Sequence, residues 1–85
     1  MHMNINILAN VQEVFREVFD DESIVINNDT TSTDIEDWDS LAHIHLVVAL
    51  EQRFKIKFAL GESLTLKNVG EMIDLIEEKY NARSK

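Results

Sequence analysis

Apolar residues recur at helical spacing in three stretches of the chain. From Asn4 to Phe19, the positions Ile7/Leu8, Val11, Val14/Phe15 and Val18/Phe19 share one side, and Gln12, Glu13, Arg16 and Glu17 share the other. This predicts an amphipathic first helix. A second helix is predicted over Ser40 to Phe54, with Ser40 as N-cap, because a serine oxygen can accept a hydrogen bond from an amide one turn on. A last helix is predicted from about Leu66 to Tyr80, where Leu66, Val69, Met72/Ile73, Ile76 and Tyr80 keep the period and Glu71, Asp74, Glu77, Glu78 and Lys79 lie outside.

The stretches between them have a different character. Residues 20–39 collect Asp, Asn, Ser and Thr, whose side chains compete for backbone hydrogen bonds and favour turns, with Ile24, Val25, Ile26 and Ile35 as apolar anchors. A loop longer than about 12–15 residues is uncommon in a small domain and often functional. Trp38 reads as a further anchor that packs down and holds the residues beside it. Lys55 to Leu66 reads as a connector, with Ile56 and Phe58 turned inward and a short helical turn around Gly61–Leu64. The fold class expected is all-α, a small four-helix bundle of three long helices and a short third one. Its core is expected to comprise Leu8, Val11, Phe15, Leu46, Leu50, Phe54, Phe58, Val69, Ile73 and Ile76.

The second helix has two apolar stripes. At about 100° per residue, Leu46, Leu50 and Phe54, flanked by Val47 and His43, form one face. Leu41, Ile44 and Val48, with His45 among them, lie nearly opposite. A central helix buried on both sides explains this, but is demanding in so small a domain. The preferred expectation is that the second stripe stays exposed to meet a partner.

Composition narrows the function classes. Eighty-five residues are read as one domain, 1–85, with residues 1–3 expected to be disordered or a cloning remnant. No apolar run approaches the roughly 20 residues that cross a bilayer, so no membrane insertion is expected. The absence of cysteine excludes disulfides and thiolate metal sites, and together with the lack of a signal peptide it suggests a cytoplasmic protein. Sixteen acidic against eight basic residues argue against nucleic acid as a partner, since neutralising phosphates requires clustered Lys and Arg. The acidity is also lopsided: residues 1–40 hold ten acids and one base, whereas residues 41–85 hold six acids and seven bases.

Ser40, two histidines and nearby aspartates invite a hydrolase reading, with His43 or His45 as base. Yet His43 falls on the core-facing stripe, and there is no Gly-x-Ser-x-Gly elbow and no evident oxyanion hole. A satisfied histidine at the edge of the core is the better reading. His43 and His45 point to different sides of a helix and cannot readily share a metal, and Asp34, Glu36, Asp37 and Asp39 lack the glycine of a calcium loop. What remains is a serine that is acted upon. A phosphate ester on Ser40 would sit at a helix N-terminus, where free amides and the helix dipole favour anions.

The stretch DWDSLAHIHLVVALEQRFKIKF resembles the Asp-Ser-Leu signature and second helix of the acyl carrier proteins, and the likeness extends to NVGEMIDLIEEK in the last helix. The resemblance implies that Ser40 carries 4′-phosphopantetheine, attached from coenzyme A by a phosphopantetheinyl transferase with magnesium, and that Asp39 is associated with that magnesium during transfer. It also implies a protein that is not an enzyme: a monomeric carrier that holds acyl groups as thioesters and presents them to acyl-transferring, condensing or acyl-activating enzymes. Leu41, Ile44, His45 and Val48 are the expected partner-binding residues. Two departures bear on the pathway. Asp37 stands where many fatty-acid-synthase carriers have glycine, and Glu51 is the only acid of the second helix. These favour a dedicated carrier of a specialised fatty-acid or polyketide-type pathway; a D-alanyl or aminoacyl carrier and an unmodified helical adaptor are the alternatives.

Overall fold

The computed structural model describes residues 6–64 and 66–83, apart from the side chains of Leu60, Leu64 and Arg83. The expectation for residues 1–3 lies outside them. Among the described residues, four helices follow in order: α1 (Ile7–Val18), α2 (Ser40–Phe54), α3 (Leu60–Leu64) and α4 (Val69–Arg83). The all-α expectation holds, with the short helix where the Gly61–Leu64 turn was placed.

Each long helix starts on a polar cap. Asn6 accepts from the Ala9 amide at 2.9 Å, so α1 begins at Ile7, the first residue of its apolar pattern. Asn68 accepts from the Glu71 amide at 2.8 Å, while the Glu71 carboxylate accepts from the Lys67 amide at 3.0 Å. This fixes the start of α4 at Val69 and leaves Leu66 in the connector. α2 ends on Lys55, whose left-handed backbone (φ 57°, ψ 46°) turns the chain so that Ile56 tucks under the bundle at 7% exposure.

One core runs through the bundle. Val11, Phe15, Leu46, Leu50, Phe54, Val69 and Ile76 are buried as expected. Three expected members, Leu8, Phe58 and Ile73, are half-buried and pack against its edge. The core instead takes in Val14 and Met72, both essentially inaccessible, together with Ile26, Trp38 and Ile56. Adjacent apolar pairs such as Met72/Ile73 differ by about 100° of helix phase, and only the packing of α4 decides which one points inward. Arg53 ties α2 to α1, donating from Nε to Asn10 Oδ1 at 3.2 Å and pairing with Glu13.

The long loop is held at both ends of its path. Gln12 accepts from the Ile26 amide, and Arg16 donates to the Ile24 carbonyl at 2.8 Å. Further on, the carbonyls of Thr30 and Asn28 accept from the Val69 and Gly70 amides at 2.9 Å each, satisfying the first turn of α4. A side chain at position 70 would stand 3.0 Å from the Asn28 carbonyl oxygen, so glycine permits this close approach. Ile26 is buried and Ile24 and Ile35 are half-buried, but Val25 is 75% exposed and is not an anchor. Residues 24–26 form no regular secondary structure, and Val25 turns to solvent between two inward-facing isoleucines.

Candidate functional site

The site lies where the acidic loop becomes α2. The cap of this helix is Asp39, not Ser40: Asp39 has an extended backbone, and its carboxylate accepts from the Ala42 amide at 2.8 Å. Either residue type caps well, but a carboxylate also gains from the positive end of the helix dipole. Ser40 therefore becomes the first helical residue, exposed, with its hydroxyl not required for capping.

Beneath the loop, Trp38 is only 9% exposed, its ring meeting Phe15 edge to face at 5.1 Å between centroids. The anchor role expected of it is present. Its indole N–H donates to His43 Nδ1 at 3.1 Å, and the two rings lie nearly parallel with centroids 6.0 Å apart. Because Nδ1 accepts, the imidazole proton sits on Nε2, which donates to the Ser63 carbonyl at 2.7 Å. Both ring nitrogens are thus engaged away from Ser40, and His43 is the satisfied, half-buried histidine the sequence suggested. It is not placed to act as a base on Ser40.

Beside the serine runs an open cleft of about 380 Å³. Trp38, Asp39, Ser40, His43 and Ile44 line it from the loop and α2, and Leu66 and Lys67 from the connector before α4. Sequence spacing did not find Leu66 and Lys67, because they reach the cleft only through the packing of α4 against the loop. Lys67 is a cation beside an otherwise acidic loop end.

α2 does show two apolar faces to different surroundings. Leu46, Leu50 and Phe54 are buried, whereas Leu41, Ile44 and Val48 are 63%, 54% and 45% exposed, with His45 also exposed on the same side. The reading of a helix buried on both sides is excluded. The helix's charges turn away from this stripe: Glu51 accepts from the Phe58 amide at 2.8 Å, and Arg53 is held by α1.

Comparison with known proteins gives this arrangement a context. The family model described as the phosphopantetheine attachment site matches residues 9–76. The chain is 33% identical over 70 residues to an acyl carrier protein of Acidothermus cellulolyticus, an alignment that spans 82% of this chain and 83% of the relative. The chain belongs to the acyl carrier protein family. It is also similar to the solution NMR structure of a holo acyl carrier protein from Geobacter metallireducens, with a TM-score of 0.86 and 48% identity over 93% of this chain and 91% of that one. An acyl carrier protein bears 4′-phosphopantetheine covalently and has no catalytic activity of its own. The site fits such a group: an exposed hydroxyl lies at a helix N-terminus, where first-turn amides favour a phosphate, and the cleft beside it offers apolar and polar walls. Among the described residues, no helix of this carrier is long and apolar enough to cross a membrane.

Proposed function

We propose that Ser40 is the residue of this carrier that bears the phosphopantetheine arm. The observation that supports this most is the division of labour at the start of α2, where Asp39 caps the helix and leaves the exposed Ser40 hydroxyl available beside the cleft. The arm supplies a terminal thiol for thioesters. Asp39, the residue directly before Ser40 and the cap of the same helix end, is the residue proposed to associate with magnesium during transfer. Leu41, Ile44, His45 and Val48 are the proposed docking face for partner enzymes, since four neighbouring exposed side chains, three of them apolar, are what a desolvated interface uses.

We assign this carrier, acting as a cytoplasmic monomer, to a specialised fatty-acid or polyketide-type pathway. The support is the exposed face of α2, which offers apolar groups and a histidine, while Glu51 is spent on an internal hydrogen bond. The partners would be the transferase and acyl-transferring, condensing or acyl-activating enzymes. Incubation with coenzyme A, magnesium and a broad-specificity transferase should add one phosphopantetheine to the chain, read by intact mass, and none to Ser40→Ala. Addition to Ser40→Ala would move the attachment elsewhere. No addition to the unmutated chain would favour an adaptor that docks through α2 without an arm.

A further inference from the structure

At the end of α2 away from Ser40, an open groove of about 740 Å³ runs between α2, the connector after it and the last turns of α4. Val48, Ile56 and Ala82 give it an apolar lining, and Lys55, Lys57 and Lys79 stand around them. Three of the chain's eight basic residues thus line this groove, whereas among the described residues only Glu51 of the sixteen acids does so. The Glu51 carboxylate is already engaged by the Phe58 amide at 2.8 Å, and the Lys79 ammonium by the Glu62 carboxylate at 2.8 Å. Lys55 and Lys57 are exposed and have no ion-pair partner among the described residues. Lys55 also holds the left-handed position that closes α2, a place that glycine or asparagine fills with less strain. A cation there complements the helix dipole, but the lysines beside it oppose that gain in the free protein.

We propose that this groove binds an acidic segment of a partner protein, a short run of Glu or Asp with an apolar side chain among them. The carboxylates pair with Lys55 and Lys57, and the apolar side chain lies along Val48 and Ala82. Lysine is a compact charge on a flexible stem that reads charge and not one fixed geometry, which suits a pliable segment. The rest of the chain sharpens the choice. With a net charge of −8, its acidic faces repel such a segment and leave the groove as the place of local attraction. A flat anionic bilayer fits less well, because it touches the lysine rims without reaching the apolar lining between them. At about 1.5 Å per residue, the 15 residues of α2 set Lys55 roughly 20 Å from Ser40. A segment in the groove therefore adjoins the exposed stripe at Val48 but leaves Leu41, Ile44 and Ser40 uncovered, and it can hold this carrier while the start of α2 stays free.

The test titrates the full chain against a fluorescein-labelled peptide of repeated Glu-Glu-Leu, read by anisotropy, and against the same peptide with Gln for Glu. The acidic peptide should bind at low salt with a Kd of about 10–300 μM, the Gln peptide about tenfold more weakly or worse, and added salt should weaken the acidic one. Lys55→Gly combined with Lys57→Gln should weaken it about fivefold or more, since two exposed charge pairs are lost. Lys55→Gly relieves the left-handed backbone, so this loss of binding should come without a loss of stability in denaturant titration. In heteronuclear NMR spectra the amides that shift should be those from Glu51 to Lys57 and around Lys79, with Leu41 and Ile44 unmoved. Equal binding of the two peptides, binding of neither, or unchanged binding by the folded double variant would overturn the proposal. So would shifts centred on Leu41, or lysine-dependent binding to phosphatidylglycerol vesicles with none to the peptide. Ser40→Ala should bind the acidic peptide as the unmutated chain does, which tests the groove apart from the attachment at Ser40.

Discussion

Phe54→Ala is expected to destabilise this carrier by about 3–5 kcal/mol, the range for emptying a buried aromatic site. Phe54 ends the buried stripe of α2 at 4% exposure, and its ring meets Tyr80 of α4 edge to face at 6.4 Å. It thus joins two helices at the point where α2 turns into the connector through Lys55. Domains of this kind have only about 5–15 kcal/mol of stability in all, so the variant should lie close to unfolding at ambient temperature. Denaturant titration followed by helical circular dichroism measures the loss. A loss below about 1 kcal/mol would mean that the inward phase of α2 is wrong, and with it the assignment of the opposite stripe to solvent.

Val48→Asp should leave folding nearly unchanged but weaken docking to a cognate enzyme by about tenfold or more at every salt concentration. Val48 is 45% exposed, so replacing it removes little buried area in the free carrier. In a complex the same position would be desolvated next to Leu41 and Ile44, and a carboxylate there would lose its water without gaining a partner. Charged rim contacts behave differently, since they set association rates and fade as salt shortens the screening length. The acidic loop is where such steering belongs in this carrier. Glu36→Gln combined with Asp37→Asn should therefore slow the transferase mainly at low salt and leave the cognate enzyme's affinity largely intact. Kinetics of both partners across a salt series separate the two effects. If Val48→Asp is silent and cognate affinity instead collapses with added salt, docking is electrostatic and the exposed stripe is not its basis.

Most of the fold could be read from spacing, because helices in so small a protein must bury one apolar face and that face repeats every 3.6 residues. Where spacing misled, a local ambiguity was decided by tertiary packing. Ser40 and Asp39 both have the chemistry of a cap, and the chain uses the one that also complements the helix dipole. Met72 and Ile73 are adjacent and equally apolar, and the seat of α4 on the loop carbonyls turns Met72 inward. Val25 stands between two isoleucines in an irregular stretch with no helical period to set its phase, and it faces solvent while they turn inward. At the site, Trp38 was legible as an anchor and His43 as a satisfied histidine. Their bond to each other, and the bond from His43 to Ser63, were not legible, because they depend on where a five-residue helix comes to rest.

The proposed function of this carrier depends on an arm at Ser40 that holds acyl groups as thioesters. The most direct measurement is peptide mapping by mass spectrometry of the protein isolated from its own cells, before and after hydroxylamine. The peptide containing Ser40 should carry phosphopantetheine together with an acyl group, and hydroxylamine should remove the acyl group and leave the phosphopantetheine in place. A Ser40 peptide that is unmodified, with phosphopantetheine found on another residue or on none, would contradict it.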